Sequence, residues 1–246
     1  MKKLGLIGYP LSHSFSAKYF NNKFIEEGIK DYEYKTYPLE SIASLQDLLK
    51  AEPELIGLNV TIPYKEAVIK LLDELDDRAA KIGAVNVIKI NQGRLKGFNT
   101  DYLGFKKSLH SLIPNNFNEK ALIMGTGGAS KAVRLVLENL GIAYQHLSRS
   151  AEKGITYEAF QKNPDQLKAF KLLINCTPLG TYPNIEQKPN LPYEQLTSEH
   201  YLFDLVYNPK ITAFLQSGLD QGAKVINGYD MLVGQAEAAW EIWQKE

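Results

Sequence analysis

The chain has 246 residues, 44% hydrophobic and 23% charged, and its 28 Lys and Arg balance its 28 Asp and Glu. This is an ordinary globular make-up, enough for one large domain or two modest ones. It offers no charge excess to draw nucleic acid or an anionic membrane, and no apolar run near the roughly 20 residues that span a bilayer.

The lone cysteine, Cys176, excludes an internal disulfide and a cysteine-rich zinc site. The four histidines show no metal-ligand spacing, so no metal is expected. The apolar core after Met1 is too short for a signal peptide, which points to a cytoplasmic protein.

Residues 4–7 form a short apolar strand, and a loop with Ser12, Ser14 and Ser16 follows. Phe20 and Phe24, four apart, mark a helix. Tyr32, Tyr34 and Thr36 alternate with charged residues as a second strand, and Ile42, Leu45, Leu48 and Leu49 give a second helical stripe. The apolar run 55–58 is a buried strand that ends in Asn59-Val60-Thr61-Ile62-Pro63-Tyr64-Lys65. On an extended backbone Asn59 and Thr61 point to one side. Pro63 suits the first turn of a helix, where its missing N–H costs nothing. Lys65 in that turn opposes the helix dipole, so it is either a solvated surface lysine or a residue kept for chemistry. Strands 85–90 and 94–97 flank a hairpin signal, Asn91-Gln92-Gly93.

A second unit starts at 102. Residues 103–112 are helical, and 120–124 form a strand that runs into Gly125-Thr126-Gly127-Gly128-Ala129-Ser130. A helix follows to Leu140, with Gly141 as its stop. Strand, glycine turn and helix together make a dinucleotide-binding fingerprint. The next strand, 142–147, ends in Ser148-Arg149-Ser150 with Lys153 beyond. An NAD binder carries an acid here for the ribose hydroxyls; a cation between two hydroxyls suits the 2′-phosphate of NADP. Residues 172–175, 201–204 and 224–226 are further strands, and a helix runs from Tyr229 to the C-terminus.

Lys65 and Asp101 could together hold a substrate hydroxyl and pass its proton; Asp101 could also cap the helix at Tyr102, and the two roles can coexist. The serines of the first loop either cap a helix or line a carboxylate site. Asn86 and Gln235 are amides inside apolar runs, to be satisfied by backbone or by a polyhydroxylated ligand.

These motifs resemble the shikimate dehydrogenase family nearly end to end. The resemblance is carried by the Ser12–Ser16 loop, the Asn59–Lys65 stretch, Gly83-Ala84-Val85-Asn86 and Asn99-Thr100-Asp101. Gly125–Ser130 and Met231-Leu232-Val233-Gly234-Gln235 carry the rest. It implies two α/β domains with the active site between them. A substrate domain with a mainly parallel sheet would take residues 1–101 plus 227–246, with the C-terminal helix returning to it. A Rossmann-type NADP-binding domain would take 102–226. It also implies reversible NADPH-dependent reduction of 3-dehydroshikimate to shikimate in aromatic amino acid biosynthesis, by a monomer or homodimer.

By that pattern Lys65 is the main acid/base, with Asp101 beside it. Ser14 and Ser16 bind the substrate carboxylate, and Asn59, Thr61, Asn86, Tyr207 and Gln235 surround the ring. Leu205 and Gly228 approach the nicotinamide. Asp77, Gly125, Thr126, Gly127, Gly128, Ala129, Ser130, Ser148, Arg149, Ser150 and Lys153 complete the cofactor contacts. The rival readings are an NAD-preferring quinate/shikimate dehydrogenase and a non-catalytic NADP-binding regulatory module.

Overall fold

In a computed structural model that describes residues 1–11 and 14–245, the chain divides into two compact units. The first is Met1–Asp101 with Gly234–Glu246, and the second is Tyr102–Val233. The chain re-enters the first unit at Gly234, inside its last helix, where the sequence suggested 227. Among the described residues, no helix is long and apolar enough to cross a membrane.

The first unit is built on β1 (Lys2–Gly8), β2 (Tyr32–Pro38), β3 (Leu55–Val60), β4 (Glu74–Leu75), β5 (Val87–Asn91) and β6 (Arg94–Phe98). They lie in the order β2-β1-β3-β5-β6-β4. β1 pairs parallel with β2 and β3, and β4 pairs parallel with β6, while β5 runs antiparallel to both β3 and β6. The hairpin between β5 and β6 turns on Gln92 and Gly93, both at positive φ, as a two-residue turn that matches strand twist requires.

Among the described residues, three α-helices belong to this unit alone: α1 (Phe15–Glu26), α2 (Leu45–Ala51) and α3 (Asp77–Ile82). Side chains alternate across the sheet. Leu4 and Leu6 pack with Phe20 and Phe24 of α1, and Ile7, Leu58 and Val60 pack with Leu45 on the other face. Gly57 is a place where only glycine fits, because a Cβ there would lie 2.2 Å from the indole nitrogen of Trp243.

The helix expected from Pro63 does not form. Ile62–Pro63 is a cis peptide, residues 62–66 turn, and only a short 3-10 helix, Ala67–Leu71, follows. Tertiary ties hold this turn. The buried Tyr64 donates its phenol hydrogen to the Leu39 carbonyl at 2.6 Å, and the Lys65 carbonyl accepts from the Val85 N–H at 2.7 Å. The dipole argument for Lys65 therefore lapses; its place is set by these ties.

The second unit holds β7 (Lys120–Met124), β8 (Tyr144–Ser148), β9 (Ile155–Thr156), β10 (Phe170–Asn175), β11 (Tyr201–Asp204) and β12 (Lys224–Ile226). All pairs are parallel, in the order β12-β11-β10-β7-β8-β9. Its helices include α5 (Gly128–Asn139), α6 (Tyr157–Lys162) and α7 (Ala213–Leu219). α4 (Asp101–Leu112) begins on the last residue of the first unit, and α8 (Tyr229–Gln244) begins in the second unit and ends in the first. From Ala121 to Met124, β7 is fully buried, as a strand covered on both faces must be. The strand order reverses between β7 and β10. In a doubly wound sheet this switch point, at the carboxyl ends of the strands, is where a dinucleotide binds.

Candidate active site

In the first unit a run of buried amides leads to a lysine–aspartate pair. β3 ends by delivering Asn59, which is 3% exposed. Its Oδ1 accepts from the Tyr34 phenol at 2.7 Å, and its Nδ2 donates to the Asn86 carbonyl at 3.3 Å. Asn86 stands just before β5, reached through Gly83, which ends α3 in the left-handed conformation.

The Asn86 side chain is the hub. Its Oδ1 accepts from the Thr100 N–H at 2.7 Å. Its Nδ2 lies 3.0 Å from Thr100 Oγ1, 3.0 Å from Asp101 Oδ1 and 3.2 Å from Gln235 Oε1. An amide nitrogen has only two hydrogens, so three acceptors compete for them. The competition makes Gln235 an acceptor that an incoming donor could claim.

Asp101 is 5% exposed, and its second oxygen accepts from Lys65 Nζ at 2.6 Å. It is the first residue of α4, and its two carboxylate oxygens accept from Asn86 and Lys65. Two neighbours in its motif escaped the sequence reading: Thr100, bonded to Asn86, and Asn99, whose Nδ2 donates to the Ala84 carbonyl at 2.9 Å. Tyr34, read only as a strand position, also joins the network.

Ser14 caps α1, accepting from the Ala17 N–H at 3.1 Å, which leaves its own hydrogen to donate. Ser16 is half-buried in the first turn of α1. Ser12 of the same cluster lies outside the described residues. Thr61 is half-buried one residue beyond β3, and its N–H donates to the Ile7 carbonyl at 2.9 Å. Asp77 stands exposed in the first turn of α3. Tyr207 belongs to the second unit, where burial raises its phenol.

In the second unit the carboxyl ends of the strands form a cradle. Gly125 follows β7 at φ 102, a left-handed angle that favours glycine, and a Cβ there would meet the Cys176 carbonyl oxygen at 3.2 Å. Gly127 is the N-cap of α5 and offers no side chain to its first N–H groups; a Cβ added there would meet only open space. Ser130, buried, donates to the Gly127 carbonyl at 2.7 Å, while Thr126 is exposed and Gly128 and Ala129 are half-buried. These open N–H groups at the positive end of a 12-residue helix suit a pyrophosphate.

At the end of β8, Ser148 accepts from the Ser150 N–H at 3.2 Å, with Arg149 and Lys153 exposed beside it. Leu205 donates its N–H to the Asn175 carbonyl at 2.9 Å. Gly228 packs so closely on Leu205 that a Cβ would fall 2.1 Å from the Leu205 carbonyl oxygen. The donor set of backbone N–H groups, hydroxyls and two cations therefore fits a dinucleotide with an additional phosphate. Cys176 is no nucleophile: burial and the Asp204 charge push its thiol well above the ordinary range.

A family model described as the shikimate dehydrogenase substrate binding domain matches residues 6–88. A shikimate dehydrogenase (NADP(+)) of Clostridium beijerinckii is 39% identical over 258 residues, covering all of this chain and 93% of its own. One from Methanococcus maripaludis is 37% identical, covering 98% of this chain and 91% of its own. This chain belongs to the shikimate dehydrogenase family. The family likeness extends to three dimensions. A shikimate 5-dehydrogenase of Thermus thermophilus, solved with NADP(H) and shikimate, superposes with a TM-score of 0.85 at 30% identity, over 99% of this chain and 94% of that one.

Proposed function

We propose that this chain is an NADP-dependent shikimate dehydrogenase, an oxidoreductase that interconverts 3-dehydroshikimate and shikimate on the route to aromatic amino acids. Lys65 and Asp101 are its proton-transfer pair. The observation that carries the reading is the 2.6 Å contact between Lys65 Nζ and Asp101 Oδ2, set among the amides of Asn59, Asn86 and Gln235.

When bound, NADPH would supply a hydride, with its electron pair, to the substrate's carbonyl carbon. Lys65 hands a proton to the carbonyl oxygen as that oxygen takes up the π electrons, and in the reverse direction it receives that proton back. Asp101 holds the lysine in place and balances its charge. The Ser14 and Ser16 hydroxyls bind the substrate carboxylate. Asn59, Thr61, Asn86, Tyr207 and Gln235 offer donors and acceptors to the ring hydroxyls.

For the cofactor, residues 125–130 hold the pyrophosphate. Arg149 meets the 2′-phosphate as a fork, flanked by Ser148 and Ser150, with Lys153 as a point charge. Leu205 and Gly228 border the nicotinamide, and Asp77 is a weaker contact.

Lys65→Met tests the chemistry, since it keeps the stem and removes the ammonium. Loss of proton transfer should lower kcat by about 10²–10⁴-fold, with shikimate affinity largely kept. A variant with half the wild-type kcat would exclude the acid/base role. Running the wild type with shikimate and quinate, each with NADP and NAD, fixes the substrate and cofactor pair.

A further inference from the structure

Tyr34 sits in the middle of β2, and its phenol is interior, the residue being 3% exposed. Its ring stacks on Phe20 with centroids 4.7 Å apart and planes at 17°. Packing alone would accept phenylalanine here, so the hydroxyl needs its own explanation.

That hydroxyl donates its one hydrogen to Asn59 Oδ1 at 2.7 Å. On its other side Asn59 meets the Asn86 carbonyl, an acceptor, at 3.3 Å from Nδ2. Turning the amide over would face oxygen to oxygen at Asn86 and would leave the phenol hydrogen without an acceptor. The two neighbours thus impose one orientation on the Asn59 amide. One Nδ2 hydrogen goes to Asn86, and the other remains for a ligand.

The same contacts form a chain: Tyr34 to Asn59, Asn59 to the Asn86 backbone, the Asn86 side chain to Asp101, and Asp101 to Lys65. A core tyrosine thereby reaches the residues read as binding the ring.

We infer that Tyr34 is a positioning residue for the substrate: its phenol locks the Asn59 carboxamide so that Nδ2 presents a hydrogen to a ring hydroxyl. The inference rests on the proposed shikimate reading and adds to it a residue that does not itself touch substrate.

The test is a double-mutant cycle with Tyr34→Phe and Asn59→Ala, read by NADP-linked oxidation of shikimate. Tyr34→Phe keeps the stacked ring, and it should raise KM for shikimate by roughly three- to tenfold, the worth of one buried hydrogen bond. The kcat should stay within about threefold, and KM for NADP should not move; a merely structural role would not divide the kinetics this way. Asn59→Ala should raise the same KM at least as much, and adding Tyr34→Phe to it should change nothing further.

A KM for shikimate unchanged in Tyr34→Phe overturns the proposal, as does an undiminished effect of Tyr34→Phe in the Asn59→Ala background. Should Tyr34→Phe not fold, Asn59→Ala alone decides, since an unchanged KM there means that the amide is not used. A wild type unable to oxidise shikimate with NADP would strike at the proposed function itself; the failure of the Tyr34 role shows only in the variants.

Discussion

Asp101 and Asp204 are both buried carboxylates, yet their neighbours give them different work. Asp101 faces a lysine. Asp204 faces only neutral donors: Asn175 Nδ2 at 2.9 Å, the Val206 N–H at 3.0 Å and the Thr212 hydroxyl at 2.6 Å. Burial raises Asp204 from 3.8 to about 6, with the three hydrogen bonds pulling the other way. A carboxyl raised by folding lends stability that is fully present below the unfolded value and is lost as pH rises through the folded one. The window is therefore about pH 4 to 6, and the size is about 3 kcal/mol.

Asp204→Asn should remove that slope. Its oxygen can still accept from Asn175 and Val206, and Thr212 can turn to accept from the new amide. Relative to the variant, the wild type should melt several degrees higher near pH 4 than near pH 7. A difference that stays constant with pH would sink the argument. Nothing in the sequence singled out Asp204, because an aspartate at a strand end reads alike whether it is buried or solvated. Lys65 and Asp101 could be paired on paper only because their chemistry suggested a partner for each. Tyr34 looked like an ordinary strand residue.

At the level of elements, those with a clear apolar pattern were readable and three short helices were not. The apolar runs of β7, β10 and β11, the stripe of α1 and the turn signals around Gly93 and Gly141 each repeat a physical pattern over several residues. α3, α6 and α7 span only six or seven residues, less than two turns, so no periodicity builds up. Pro63 misled because the preference for a helix start is local, whereas the anchoring of Tyr64 on Leu39 is tertiary.

The β8 end carries a chemical pattern instead. Arg149 is exposed just past the strand, at the position where doubly wound folds choose between cofactors. Arg149→Asp should exchange attraction for repulsion at the 2′-phosphate while offering acceptors to the ribose hydroxyls of NAD. The ratio of kcat/KM for NADP over NAD should fall steeply, yet incompletely, since Lys153 still supplies a charge. The measurement belongs at one ionic strength, because salt screens exposed contacts. An unmoved ratio would mean that Arg149 does not meet the phosphate.

For the whole molecule the telling fact is the route of the chain. It leaves the first unit after Asp101 and re-enters at Gly234, so α8 brings Gln235 beside Asn86, more than a hundred residues earlier in sequence. No pattern in the sequence signals that return; only the family resemblance suggested it. The physical reason is legible afterwards. Ala236, Ala239 and Trp243 are the buried face of α8 on the first sheet, and Gly57 is bare so that Trp243 can sit against β3 and donate to the Ile88 carbonyl at 3.0 Å.

That seating brings Gln235 Oε1 to 3.2 Å from Asn86 Nδ2, although the two residues are 149 apart in sequence. Because the Asn86 nitrogen has three acceptors for two hydrogens, losing Gln235 leaves Asn86 satisfied by Thr100 and Asp101. Gln235→Ala should therefore cost the network little. It should cost the substrate one buried hydrogen bond, about 0.5–1.5 kcal/mol, or roughly a two- to twelvefold rise in KM for shikimate. The melting temperature and KM for NADP should hold. If instead stability falls while KM for shikimate stays put, Gln235 serves the protein's own packing, and the return of α8 supplies a brace and not a ligand contact.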